Sequence, residues 1–303
     1  YANHAEQLKL FISDKLLEYI EYDEKFLHFK SIASEVRHNG VISYDKLTTL
    51  LDQQLNAVGV VDLEEVERLQ EARDSLRYLW DLLDLSTADN IALHIANQVC
   101  ESEEIIFQSE LDNNQESIPE RPVFAPRAAL VKALQRCFGS TPQWLDDTTL
   151  QMPEHDWVWI QAAPTDDLLG NENHIVLALE NLISNAQFFT GRVNSRKVEK
   201  RARIAVLLDQ QQGYIRYQIY NRGPHINDNA AHQLFQLGYS TRRAKEHHGK
   251  GLGLYFVNEI IKGYDGNIAF SNIHNSSDVL SLRIETDSGE VITEVIELVI
   301  EED

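Results

Sequence analysis

Apolar residues along the first part of the chain keep a three-and-four spacing. Leu8, Phe11, Ile12, Leu16, Ile20, Phe26, Phe29, Ile32, Val36, Leu47, Leu50, Leu51 and Leu55 recur in this way with charges between them. That period predicts one long helix from residue 4 to about 57. Asn39-Gly40 is its soft spot, which could kink or fray it. Val58–Asp62 reads as a turn. Asp62 caps a second helix with Glu64 and Glu65 in its first turn, favourably placed against the helix dipole. That helix runs through Val66, Leu69, Leu76, Leu79, Trp80, Leu82, Leu83 and Leu85. Two antiparallel helices cannot bury both apolar stripes alone. A dimer closing a four-helix bundle is the simplest solution, and a hairpin packed on its own C-terminal region is the alternative.

Beyond Thr87 the pattern changes. Residues 91–107 are moderately helical, 110–116 are polar and acidic, and Pro119, Pro122 and Pro126 follow, which together read as a connector. Helices are then expected at Ala128–Phe138, Asn173–Phe189, Asn229–Leu237 and Leu254–Gly263. Strands are expected at Trp157–Ile160, Arg203–Leu208, Tyr214–Tyr220, Asn267–Ser271 and Val279–Ile284. Helices interleaved with mostly antiparallel strands give an α+β class: a helical hairpin, then a sandwich of one mixed sheet against one helical layer. Residues 290–303, with Val, Ile and Leu among glutamates, are an extra strand or helix with no assigned place.

A length of 303 residues suits about two domains, and a 43% apolar content supplies cores for them. No apolar run reaches the ~18 residues that a membrane span needs. No signal peptide is visible, and the opening Tyr1 is compatible with the cytoplasmic part of a longer membrane protein whose sensor region lies outside this chain. Cys100 and Cys137 fit no metal or redox spacing and read as buried free thiols in a reducing compartment. The net charge of −21 argues against nucleic acid as a partner. Against that acidic background Arg242, Arg243, Lys245, His247 and His248 form a local basic cluster.

The chemistry begins just after that cluster. Gly249-Lys250-Gly251-Leu252-Gly253-Leu254 leads into apolar positions 254, 257, 260 and 261, so a glycine loop feeds a helix N-terminus. Backbone N–H groups there can approach a phosphate closely. Asn181 and Asn185 share a face of the 173–189 helix at i and i+4. Amides in a helix interior call for a partner, and a metal–phosphate group would satisfy them. Solvent-facing asparagines are an equal alternative when the helix is read alone. Tyr220-Asn221-Arg222-Gly223-Pro224-His225-Ile226 follows a strand, where the Asn221 amide could meet a purine edge or form an ordinary surface turn.

Asn181-Leu182-Ile183-Ser184-Asn185-Ala186, Asn221-x-Gly223-Pro224-x-Ile226, Leu234-Phe235 and Gly249-x-Gly251-Leu252-Gly253-Leu254 come in a fixed order. Together they resemble the four nucleotide-binding boxes of sensor histidine kinases and of the wider gyrase, heat-shock-chaperone and mismatch-repair ATPases (the GHKL or Bergerat fold). The helical hairpin ending in Trp80-Asp81-Leu82-Leu83-Asp84-Leu85-Ser86 looks like the dimerisation and phosphotransfer hairpin of the kinases and is absent from the other branches.

The resemblance implies a dimerisation and phosphotransfer hairpin at 1–90, a helical and acidic connector at 91–122, an ATP-binding catalytic domain at 123–289 and a C-terminal extension at 290–303. It implies ATP and Mg²⁺ as cofactors, a homodimer, and a response-regulator receiver domain as partner. Asn185 would be the Mg²⁺ ligand, with Asn181 beside the phosphates and Asn221 with Gly223 and Ile226 at the adenine. Aspartate is commoner at the Asn221 position, and the amide is a neutral, weaker acceptor. Phe189 would stack on the base. Phe188 stands where the family has a basic residue, a contact that Arg242, Arg243 or Lys250 could replace. Thr241, Arg242, Arg243, Gly249, Lys250, Gly251, Leu252, Gly253 and Leu254 would line the phosphates. Hydrolytic branches resemble one another in a glutamate four residues before the metal asparagine. Here that position is Asn181, and Glu180 lies about 100° around the helix, so transfer to a protein group is expected over hydrolysis.

The phosphoacceptor box best matches Ser31-Ile32-Ala33-Ser34-Glu35-Val36-Arg37, with Ile32 and Val36 inward and Ser34 where the family has histidine. A serine hydroxyl stays protonated at neutral pH, whereas imidazole offers a lone pair. Three readings follow: an acceptor replaced at Ser34, His38 as the acceptor one turn on, or a degenerate kinase that binds ATP and regulates a partner kinase by heterodimerisation. The first and third are preferred, and His28 fits worst.

Overall fold

The computed structural model describes residues 2–57, 63–111, 123–190, 204–211, 213–221, 226, 233–237, 252–273 and 292–301. They fall into two compact units, Tyr1–Asp89 and Asn90–Asp303.

In the first unit α1 (Ala2–Ala57) and α2 (Leu63–Thr87) form an antiparallel hairpin. The cross-links run up one helix as they run down the other. Lys30 Nζ donates to Ala88 O at 2.6 Å, Arg37 pairs with Asp84 and donates to Thr87 Oγ1 at 3.5 Å, Tyr44 stacks on Trp80 at 4.4 Å, and Arg73 faces Asp52 at 3.6 Å. At the soft spot Asn39-Gly40 the helix is not interrupted. The helix runs through it, held on either side by Arg37–Asp84 and Tyr44–Trp80, and a Cβ on Gly40 would sit 3.6 Å from the Trp80 ring, an ordinary contact.

Ile32 and Val36, expected inward in a bundle of two hairpins, are 49% and 51% exposed in the single hairpin. The face turned to α2 is carried by buried Ala33 and by Arg37. One partner helix covers only one face of α1, so Leu27, Val41, Ile42, Leu47 and Leu50 stay exposed as well.

The second unit opens with α3 (Ile91–Leu111), capped by Asn90 Oδ1, which accepts from Leu93 N at 3.0 Å. A two-stranded ribbon, β1 (Val123–Phe124) with β5 (Leu168–Leu169), sits apart from the main sheet. α4 (Pro126–Phe138) starts earlier than expected because Pro126, read as a connector residue, fits the first helical turn. Gly139 ends it at φ 70°.

The main sheet has seven strands: β2 (Gln143–Trp144), β3 (Thr149–Gln151), β4 (Val158–Ala162), β6 (Ile204–Gln211), β7 (Tyr214–Asn221), β9 (Ile292–Glu301) and β8 (Asn267–Ile273), in that spatial order. β4 and β6 run parallel, and every other neighbouring pair is antiparallel. This is the mixed sheet expected. Residues 290–303 contribute β9, whose backbone pairs with both β7 and β8. Val279–Ile284 lies outside the described residues, as does 229–232, and 233–237 forms turns where helix was expected.

α4, α5 (Glu172–Thr190) and α6 (Gly253–Gly263) provide the helical layer. Leu130 and Leu134 of α4, Leu179, Leu182 and Ile183 of α5, and Val257, Ile260 and Ile261 of α6 are fully buried, as are the sheet residues Ile160, Val206, Leu208 and Ile215. Each such side chain contributes about 1.5–3 kcal/mol by leaving water. Tyr217 is buried too, and its hydroxyl donates to Pro126 O at 3.0 Å, tying β7 to the start of α4.

Candidate functional site

The second half of α5, the end of β7 and the start of α6 carry the sequence-predicted site residues that the structure describes. α6 begins without a side-chain cap: the residue before it, Leu252, makes no capping hydrogen bond. Among the described residues no side chain caps the first helical donors, at an end with partial positive charge. Gly253, the first residue of α6, packs directly on α5. A Cβ there would come within 2.6 Å of Asn181 Oδ1. The Asn181 amide is itself turned back along its helix, Nδ2 donating to Leu177 O at 2.8 Å. Glycine at 253 therefore lets α6 lie this close to α5 without displacing the Asn181 amide.

Asn185, one turn on, is half-buried, and its amide oxygen is the hard donor type that suits Mg²⁺. Among the described residues no cluster of three or more His, Cys, Asp or Glu could hold a metal, so a metal here would rest on amide oxygen and on the ligand's own phosphates. Phe189 is half-buried and meets Phe188 edge-on at 5.2 Å. Asn221, at the end of β7, is 3% exposed, and its Nδ2 has no hydrogen-bond partner among the described residues. A buried donor left open is costly unless a ligand completes it. Ile226, Leu252 and Leu254 are half-buried. Gly223, Thr241, Arg242, Arg243, Gly249, Lys250 and Gly251 lie outside the described residues.

Glu180 points elsewhere. Its carboxylate pairs with Arg136 of α4 at 3.5 Å, and its carbonyl faces Cys137 Sγ at 3.8 Å. Burial pushes the Cys137 thiol up to about 11, opposed by its contact with Ser184. It stays protonated and unreactive.

A network that the sequence did not announce fixes α6 against α5. The Tyr264 hydroxyl accepts from Asn171 N at 3.0 Å, donates to Asn171 O at 3.1 Å and lies 3.1 Å from Nδ1 of buried His174. Gly170, at φ 123°, leaves room for that ring: a Cβ would meet it at 2.4 Å. The far end of α6 packs as tightly on α3, where a Cβ on Gly263 would fall 2.6 Å from Ile95 Cβ and 2.9 Å from Ala92 O. α6 is thus packed closely at both ends, on α5 at Gly253 and on α3 at Gly263.

Residues 170–296, which span α5, β6, β7, α6 and β8, match the family described as histidine kinase-, DNA gyrase B- and HSP90-like ATPases. Sensor protein CreC of Escherichia coli (strain K12) is 26% identical over 197 residues, covering 65% of this chain. The second unit is thus similar to the ATPase domain of that family, and part of the chain is similar to a sensor protein. The match spans 37% of the length of CreC. Among solved structures, the mycobacterial sensor histidine kinase MprB is 15% identical with a TM-score of 0.42, over 59% of this chain and 95% of that one. Full-length ShkA in complex with AMPPNP is 14% identical with a TM-score of 0.40, over 90% of this chain and 46% of that one.

In the helical hairpin, Ser34, Glu35 and His38 are all exposed on α1, as is His28. Arg37 is engaged with Asp84 and Thr87. No helix among the described residues is long and apolar enough to cross a membrane.

Proposed function

We propose that this chain is the cytoplasmic core of a homodimeric sensor histidine kinase. It binds Mg-ATP between α5, the end of β7 and the start of α6, and passes the γ-phosphate to an acceptor on the hairpin and then to a response-regulator aspartate. The observation that carries this reading is the Nδ2 of Asn221, buried and without a partner among the described residues, at the end of β7, in a fold that also holds the Asn181 and Asn185 face of α5 and the glycine start of α6.

In this reading the α6 donors hold phosphate oxygens, Asn221 meets the purine edge and Phe189 packs on the base. Asn185 offers its amide oxygen to the magnesium ion, which neutralises phosphate charge when bound. Catalysis is positioning and charge neutralisation rather than covalent chemistry by the site. The engagement of Glu180 with Arg136 supports transfer over hydrolysis, because no carboxylate of α5 is then free to activate water beside Asn185. The exposed stripe of Ile32, Val36, Leu47 and Leu50 supports dimerisation through the hairpin.

Ser34 stands at the acceptor position and is exposed there, which favours an acceptor-substituted kinase or a partner-regulating pseudokinase over direct self-phosphorylation. Incubation of the chain and of Ser34→His with radiolabelled ATP separates these. Acid-labile label on the substituted chain alone supports a kinase with a replaced acceptor. Label on neither supports the pseudokinase. Acid-labile label on the unaltered chain that is lost in His38→Ala assigns His38 instead.

A further inference from the structure

The group placed to read the base is neutral and two-sided. Asn221 pairs with Ile204 on one side, and on the other the pairing of β7 with β9 shifts register at Tyr220/Asn221. Such an irregularity re-aims the side chain at the strand's end. At 3% exposure the amide is cut off from water, and nothing among the described residues accepts from Nδ2 to hold it in one orientation. A primary amide presents a donor and an acceptor side by side, and a half-turn about its last bond exchanges them. Adenine offers a 6-amino donor beside the N1 acceptor. A 6-keto purine offers the reverse, a carbonyl acceptor beside an N1–H donor. The amide matches either pattern. A carboxylate at this position could only accept, so it would favour the amino group and repel the carbonyl.

We propose that Asn221 makes this a purine-triphosphate site that admits 6-keto purines alongside ATP, a proposal that rests on the nucleotide-binding reading above. The open Nδ2 donor is the feature a 6-keto oxygen completes, and no rearrangement of the backbone is needed to present it.

Inosine triphosphate differs from ATP at this edge alone, so it is the probe. ATP and inosine triphosphate, each with magnesium, compete against a fluorescent non-hydrolysable ATP analogue on the full chain, on Asn221→Asp and on Asn221→Ala, with circular dichroism confirming each fold. The expected result is affinities within about 10-fold of each other for the unaltered chain, since the same two hydrogen bonds serve both bases. Asn221→Asp should widen the gap to about 100-fold or more in favour of ATP by leaving a polar edge mismatched. Asn221→Ala should weaken both nucleotides and keep their ratio near that of the unaltered chain, a result that stands even if the aspartate variant misfolds. An unaltered chain that prefers ATP by about 100-fold or more, or a ratio that Asn221→Asp does not move, overturns the proposal. Failure of the unaltered chain to bind the ATP analogue overturns the nucleotide-binding reading itself.

Discussion

Gly253→Ala tests whether the start of α6 is set by contact with α5. The added methyl would lie 2.6 Å from Asn181 Oδ1, well inside van der Waals contact, so one partner must give way. Asn181 is the softer of the two, being the end of a short side chain. Turning it away breaks its 2.8 Å bond to Leu177 O, a loss of about 0.5–1.5 kcal/mol. Residual overpacking adds about 1 kcal/mol or more, partly offset by the better helix propensity of alanine. The variant should therefore lose on the order of 1–2 kcal/mol in urea unfolding. Removing the amide first, as Asn181→Ala, should make the same glycine change close to neutral. The double-mutant cycle across the two positions is thus expected to give a coupling of about 1 kcal/mol or more. Single effects that add to within about 0.3–0.5 kcal/mol would refute the contact and with it the claim that glycine lets α6 lie this close to α5.

Three further outcomes follow from the same region. Gly263→Ala places a methyl 2.9 Å from the Ala92 carbonyl and 2.6 Å from Ile95 Cβ, where the backbone of α3 cannot yield, so a loss of about 1–3 kcal/mol is expected by urea unfolding and a neutral result would contradict the packing. Tyr264→Phe leaves Asn171 and His174 without their shared hydroxyl and should cost about 1–3 kcal/mol, with faster amide exchange at the start of α5; unchanged exchange would count against the network. The Cys137 thiol rises from its ordinary 9.0 to about 11 because it is buried. The unfolded chain therefore ionises first as pH rises, and the stability associated with this group, complete below pH 9, declines between 9 and 11 by at most about 1.4 kcal/mol per pH unit. Cys137→Ser should flatten that window, and an unchanged slope would contradict the burial.

The long periodic elements were legible because each repeats its signal many times. α1, α2, α5 and α6 all lie close to their expected bounds. β1, β2, β3 and β5 span two or three residues each, too few to show alternation, and only pairing with neighbours makes them strands. The α1 stripe at Ile32 and Val36 was legible as an apolar face, but periodicity does not say which partner covers it. The polar pattern pointed to Asn181, Asn185, Asn221 and Gly253. It did not reveal that Gly253 and Asn181 touch, or that Tyr264 joins His174 and Asn171 from the far end of α6. Those contacts join residues distant in the chain, and local spacing carries no trace of them.

The most direct measurement is calorimetry of the full chain with a non-hydrolysable ATP analogue and magnesium, run in parallel on Asn185→Ala. Saturable one-site binding by the unaltered chain, weakened about tenfold or more when the Asn185 amide is removed, is the predicted result. No heat of binding from a folded, unaltered chain would contradict the account.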